Sequence, residues 1–260
     1  MFLNGHQQLS TVDEPLYHEP LVHPVMLLHQ DPRKILVLGG GDGAAVRELL
    51  KYDSADEIVL VDLDVSVTDL AKSHPVLLNI NQGSLLKENV TVINEDGFTY
   101  LEKLQDYFDV IIADFPDPRT VDLGRLYSRE FYWLCHQALK ADGFMVTQAG
   151  SPYYAEKAYK CIQATMEAAG FTTLPLHNQV LTLGEWGWII GSKQSRNYLK
   201  GELQQKEIQV PTAWLNKDAL TLITSFGKAV FNNTIDEIKV NRLHDPVLYR
   251  NYNKGKWDLY

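Results

Sequence analysis

From residue 34 onward, short and nearly continuous apolar runs alternate with segments whose apolar positions recur at helical spacing. The apolar runs predict strands at 34–38, 57–62, 90–93, 110–113 and 144–148, and the helical spacing predicts helices at 44–51, 128–140 and 154–169. Strands that are apolar on both faces and separated by helices mean a parallel sheet covered on each side, an α/β fold. Two later runs, 171–176 and 186–190, predict a closing antiparallel hairpin at the edge. A further helix is predicted near 217–226, ahead of a polar, aromatic tail with no legible role. Ligands of open sheets bind outside the carboxyl ends of the strands, so functional residues are expected just after 38, 61, 93, 113 and 147.

The first ten residues read as strand-like around an Asn4-Gly5 turn, with no partner strand upstream. On that reading the chain is an excised portion of something longer. The 260 residues suit one large α/β domain with an appendage. A formal charge of −9 disfavours a nucleic-acid partner and favours small cations. Cys135 and Cys161 have no metal-ligand or CxxC spacing and read as buried thiols in a reducing compartment. Neither a membrane-length apolar stretch nor a signal segment is visible, so this chain is expected to be cytoplasmic, with no membrane part of its own.

Gly39-Gly-Gly-Asp-Gly43 follows the first strand and opens a helix, where backbone can approach a ligand closely. Such a turn is common, but Asp62 at the end of the second strand strengthens it, because a carboxylate there accepts from ribose hydroxyls. Asp96, after the third strand, adds an acceptor for an adenine amino group, or a helix cap, or both. Asp42 puts negative charge inside the glycine turn, which repels a pyrophosphate and attracts an ammonium group. The expected ligand is therefore a nucleoside with a cationic tail and no phosphate. A dehydrogenase does not fit.

Asp114-Phe-Pro-Asp117-Pro118 closes the fourth strand, and two prolines stiffen a turn that can aim both carboxylates at one pocket. An amine nucleophile arrives protonated and must lose that proton before it attacks, which a carboxylate can accept. A merely rigid turn explains the segment almost as well.

The ordered set of motifs resembles the spermidine synthase (polyamine aminopropyltransferase) family. It comprises Leu3-Asn-Gly-His-Gln-Gln-Leu9, Asp13-Glu14, Tyr17-His-Glu19, His23-Pro24, Gly39–Gly43, Asp62-Leu-Asp64, Glu95-Asp-Gly97 and the Asp114–Pro118 turn. Leu126-Tyr-Ser-Arg-Glu-Phe131, Gln148-Ala-Gly-Ser-Pro152 and Gly184-Glu-Trp-Gly187 complete it. The resemblance implies a Rossmann-like, class I methyltransferase-type sheet preceded by the remnant of a small N-terminal β-sheet domain. It divides the chain into 1–30 (that remnant and the amine-site segment), a nucleoside-binding catalytic domain at 31–195 and a packed C-terminal extension at 196–260.

By the same resemblance the reaction moves an aminopropyl group from decarboxylated S-adenosylmethionine, a co-substrate, to a diamine such as putrescine. No prosthetic group and no metal are expected. Gln8, Gly39, Gly41, Asp42, Asp62 and Asp96 would hold the donor, Asp42 meeting its ammonium. Asp114 would be the base, with Tyr17 beside the attacking nitrogen, and His18, Asp117 and Trp186 would contact the acceptor. A homodimer is the implied assembly. Two places depart from the family pattern. The usual Asp-Ser-Ser-Asp is Asp114-Phe-Pro-Asp117, and a Tyr-Pro-Ser-Gly is Leu181-Thr-Leu-Gly184. Glu185 either adds a compensating carboxylate or faces solvent. These features look closest to members whose soluble domain is fused to transmembrane helices. Two alternatives stay open: a methyltransferase that uses intact S-adenosylmethionine, and a non-catalytic nucleoside-binding domain of a membrane protein.

Overall fold

The computed structural model describes residues 1–3, 6–194, 198–227 and 238–257. Nine strands are assigned among them: β1 (Phe2–Leu3), β2 (His6–Gln7), β3 (Lys34–Gly39), β4 (Glu57–Val61), β5 (Val90–Ile93), β6 (Phe108–Asp114), β7 (Leu139–Gly150), β8 (Thr172–Val180) and β9 (Gly184–Ser192). The helices are α1 (Pro15–Leu28), α2 (Ala44–Leu49), α3 (Val65–Ser73), α4 (Pro75–Asn81), α5 (Gly97–Leu101), α6 (Val121–Gly124), α7 (Arg129–Ala138), α8 (Glu156–Ala168), α9 (Leu199–Gln205), α10 (Lys217–Ile223) and α11 (Leu248–Asn253).

β3 to β9 form one seven-stranded sheet in the order β5-β4-β3-β6-β7-β9-β8. The pairs from β5 to β7 are parallel, and β9 pairs antiparallel with both β7 and β8. The expected parallel sheet with an antiparallel edge hairpin is therefore present. Along β3, Ile35 and Val37 enter one apolar cluster while Leu36 and Leu38 enter the other, as the two-residue period of a strand requires. Helices α1, α2, α9 and α10 cover the first face, and α7, α8 and α11 the second. Both cysteines are buried and unpaired.

Several elements differ from their sequence-based bounds. β7 begins five residues before the predicted 144, because Leu139 pairs with Phe108 ahead of a bulge. The hairpin strands extend to Val180 and from Gly184, so the turn between them is only the Leu181–Leu183 segment. α1 was not anticipated at all. It carries Pro20 and Pro24 inside a 14-residue helix, each of which removes a backbone donor. Burial overrides that cost: Leu21, Val22, Val25 and Leu28 are all essentially inaccessible. β1 and β2 pair as a small antiparallel ladder, Phe2 with Gln7 and Leu3 with His6, and the predicted Asn4-Gly5 turn lies outside the described residues.

The tail has a structural task. Asn241, 1 % exposed, donates Nδ2 to the carbonyls of Gly124 and Tyr127 at 2.8 and 3.1 Å, and its Oδ1 accepts from Val247 and Leu248 N–H at 3.1 Å each. One side chain thus ties α11 to the segment between β6 and α7. Asn241→Ala leaves four backbone groups without partners and is expected to lower unfolding free energy by about 2–4 kcal/mol in a denaturant titration.

Candidate active site

β3 and β6 lie side by side, and the strand order reverses between them, with β4 and β5 beyond β3 on one side and β7 beyond β6 on the other, while α2 and α7 pack on opposite faces. This is the switch point where an open sheet leaves a crevice. A pocket of about 420 Å³ sits there, lined by residues from every parallel strand end, from α1 and from the N-terminal segment. All eleven residues expected at the site line it: Gln8, Tyr17, His18, Gly39, Gly41, Asp42, Asp62, Asp96, Asp114, Asp117 and Trp186.

The glycine turn is shaped by two close approaches. Gly39 has φ +76°, and a Cβ there would lie 2.3 Å from the Asp114 carbonyl oxygen. At Gly41 a Cβ would meet the Asp62 carboxylate at 2.6 Å. Asp62 is aimed by two backbone donors, Gly41 N–H at 3.0 Å on Oδ2 and Asp64 N–H at 2.8 Å on Oδ1. Burial raises its pKa despite those bonds. Asp42, 8 % exposed, turns one oxygen onto the Ala44 N–H at 2.8 Å, at the start of α2.

Asp96 serves as a cap as well as lining the pocket. Its Oδ1 accepts from the N–H groups of Phe98 and Thr99 at 3.0 and 3.3 Å, and its Oδ2 pairs with Arg125. The Arg125 guanidinium lies over the Phe98 ring, 5.3 Å from its centroid. Arg125 also lines the pocket, and nothing in the strand-end reasoning singled it out.

At the other end Tyr17 donates its hydroxyl to Asp114 Oδ1 at 2.7 Å. Burial raises the Tyr17 pKa well above its usual value and the Asp114 charge adds to that, so the phenol stays a donor. Burial also raises Asp114, with help from the negative charges of Asp42 and Asp62; His18 and the Tyr17 bond oppose, and the pKa reaches about 6. Asp117 is pushed up by burial too, opposed first by the Tyr252 phenol and then by Arg119 and Gln148. Gln148 reaches the Phe115 carbonyl at 2.9 Å and stands 3.5 Å from Asp117, which stitches the turn to β7. Gln148 and Leu183 line the pocket without having been assigned a role. Gln148 was visible inside a matched motif, whereas Leu183 was only part of a departure from it. Trp186 is 6 % exposed and forms a wall. Glu185 belongs to neither expected place. Successive strand residues face opposite ways, and Glu185 turns from the pocket to pair with His177.

His18 joins Arg125 as a cation inside this acidic pocket. Burial works against its charge, but the Glu14 bond at 3.0 Å and the nearby Asp42 and Asp114 outweigh it, and its pKa rises to about 9. Glu14 is in turn clamped by both terminal nitrogens of Arg47 at 2.7 and 2.8 Å. Burial of Glu14 would raise its pKa, but His18 and Arg47 together hold it at about 2.

The strand order and its flanking helices define the methyltransferase-like α/β class, with the pocket at its usual end. Within that class, residues 14–201 match the model of the spermine/spermidine synthase domain. A polyamine aminopropyltransferase of Leptospira interrogans is 39 % identical over 258 residues, covering 99 % of this chain and 50 % of its own length. One from Oceanobacillus iheyensis is 40 % identical over 261 residues, with 100 % and 50 % covered. A spermidine synthase crystallised with the transition-state analogue AdoDATO superposes with a TM-score of 0.81 at 28 % identity, over 88 % of this chain and 78 % of that one. The Thermotoga maritima spermidine synthase gives 0.78 at 26 %, over 88 % and 77 %. The chain belongs to the spermine/spermidine synthase family, and it spans about half the length of the two curated relatives. No helix among the described residues is long and apolar enough to cross a membrane. The relatives' names give the expected fusion to membrane helices no support.

The His18 charge predicts a pH dependence of stability. A pKa raised in the folded state stabilises fully below the ordinary value near 6.5 and loses that contribution as pH climbs through about 9. His18→Gln should therefore flatten the decline of Tm between those two pH values, measured by thermal melts in matched buffers. An unchanged slope would show that His18 is not the group responsible.

Proposed function

We propose that this chain carries polyamine aminopropyltransferase activity, moving an aminopropyl group from decarboxylated S-adenosylmethionine to putrescine and yielding spermidine and methylthioadenosine. The observation that carries the reading is the Tyr17–Asp114 pair at 2.7 Å, set between a nucleoside-type strand end and a second acidic residue, Asp117. The family match and the AdoDATO-bound neighbour support it.

The donor's adenine would face Asp96 and its ribose Asp62, whose backbone-held oxygens keep lone pairs free. Gln8 would lie alongside the nucleoside. Asp42 would take the ammonium of the aminopropyl arm. That leaves the carbon beside the sulfonium near Asp114. The acceptor enters as a dication, with one nitrogen at Asp114 and Tyr17 and the other toward Asp117. His18 borders the same end, and the Trp186 ring walls the methylene chain.

Asp114 accepts the ammonium proton. The freed lone pair forms the N–C bond, and the C–S pair leaves with sulfur, which becomes the neutral thioether of methylthioadenosine. Placing two charged substrates in one crevice supplies most of the orientation this displacement needs. Read from the family alone, the expected assembly is a homodimer working in the cytoplasm.

The intact donor carries a carboxylate that Asp42 would repel, which separates this reading from methyl transfer. Incubation with each donor and a panel of amines should give aminopropylated product from the decarboxylated donor only, and Asp42→Asn should narrow the difference in affinity between donors. Methyl transfer by the unaltered protein would sink the reading.

Asp114→Asn removes the proton acceptor and should lower kcat by about 10²- to 10⁴-fold while donor binding is retained. Parallel loss of donor binding would instead mark Asp114 as structural. With its pKa near 6, Asp114 is an effective base only once ionised. The amine kcat/KM should therefore rise with pH through about 6 in a steady-state profile. An acid limb that persists unchanged in another variant lacking this carboxylate, Asp114→Ala, would point to a different base.

A further inference from the structure

A counter-ion stands behind the acceptor end of the pocket. Asp117, the carboxylate placed to meet the far nitrogen of a diamine, already receives Arg119 Nη2 on its Oδ2 at 3.3 Å. Arg119 is not part of the pocket wall. It stands behind Asp117 and is fixed there by α11. Asn253 Nδ2 donates to the Arg119 carbonyl at 2.9 Å, and the guanidinium lies 5.4 Å from the centroid of the Tyr252 ring. Tyr252 is 1 % exposed and close enough to Asp117 to feel its charge. Trp257 holds Tyr252 in turn, donating its indole N–H to the Tyr252 carbonyl at 2.8 Å with the rings 4.7 Å apart. Residues 248–257 lie beyond the stretch that matches the family domain, so this backing comes from a part of the chain the domain does not include.

An arginine held on that carboxylate has a chemical consequence. A second ammonium brought to Asp117 gains attraction to the carboxylate but meets the guanidinium across it, and the two cations share one negative charge. A monoamine, with no far charge, escapes that repulsion. Resting on the aminopropyltransferase reading, we propose that Arg119, anchored by α11, is a specificity-determining residue: it weakens the hold on the acceptor's far amino group and narrows the preference for diamines over monoamines. It acts through Asp117 and does not itself touch the substrate.

The quantity to measure is the ratio of kcat/KM for 1,4-diaminobutane to that for 1-aminobutane. Arg119→Gln should raise this ratio about three- to tenfold, the size expected of a partly screened charge pair near the surface. Arg119→Lys keeps the cation and should hold the ratio near that of the unaltered protein. Asn253→Ala frees the Arg119 carbonyl and should shift the ratio the same way by less. A purely structural role would move both amines together and leave the ratio alone. An unchanged or lowered ratio in Arg119→Gln overturns the proposal. If that variant melts early, the Asn253→Ala ratio decides by the same criterion. Calorimetric binding of the two amines reads the same preference without turnover. A protein that binds amines yet transfers nothing would therefore defeat the functional reading while still answering this one.

Discussion

The site depends on one backbone contact, the approach of the glycine turn after β3 to the carbonyl of Asp114 at the end of β6. Gly40 N–H donates to that carbonyl at 3.0 Å, and Gly39 leaves no room for a side chain there. The two central strands are thereby held together to their last residue. The chain must then turn away from β3 into α2 and away from β6 into the proline-stiffened turn. The crevice between those departures is where the carboxylates converge. A larger residue at position 39 would push β6 away and move Asp114, and with it Tyr17, out of register with Asp42 and Asp62.

Convergence of Asp42, Asp62, Asp96, Asp114 and Asp117 on one pocket creates a field that the protein answers unevenly. Asp96 and Asp117 each have an arginine, and Asp42 and Asp62 have backbone donors. Asp114 has only a phenol and the more distant His18 charge, so burial and its acidic neighbours dominate and its pKa rises. That is the state of a carboxylate able to take up a proton and release it again near neutral pH. The cationic His18 offsets part of the same field from α1, through a buried chain that runs by Glu14 to Arg47.

The helix bearing Tyr17 and His18 shows how little local preference counts in such a position. α1 contains two interior prolines, and its polar residues Glu19 and His23 are buried. Glu19 accepts from the N–H groups of Trp214 and Leu215 at 2.9 and 2.7 Å, and His23 meets Glu48 at 2.7 Å. Glu19 and His23 each have partners brought from elsewhere in the chain, and His18 has Glu14 one turn away, which is why a segment unpromising as an isolated helix is buried over most of its length.

The sequence by itself determined the alternating parallel architecture, the edge hairpin and the strand-end positions of Gly39, Gly41, Asp42, Asp62, Asp96, Asp114 and Asp117, because strand periodicity and the switch-point rule are local or topological facts, whereas Gln8, Tyr17, His18 and Trp186 came from the family resemblance alone. It did not disclose α1, since proline and polar composition speak against a helix until burial is known. Nor did it disclose Arg119, Arg125 or the destination of Glu185. An arginine in a loop has no periodic signature, and its partner is set by where two distant turns meet. Glu185 follows from strand parity only after the register of β9 is fixed at Trp186. The polar, aromatic tail was illegible for the same reason. Asn241, Tyr252 and Trp257 bond to groups more than a hundred residues away or stack within a surface that exists only once the sheet is built. Residue type and spacing chose which chemistry could gather at the strand ends. Long-range packing alone decided which charges would be neutralised there and which left free to react.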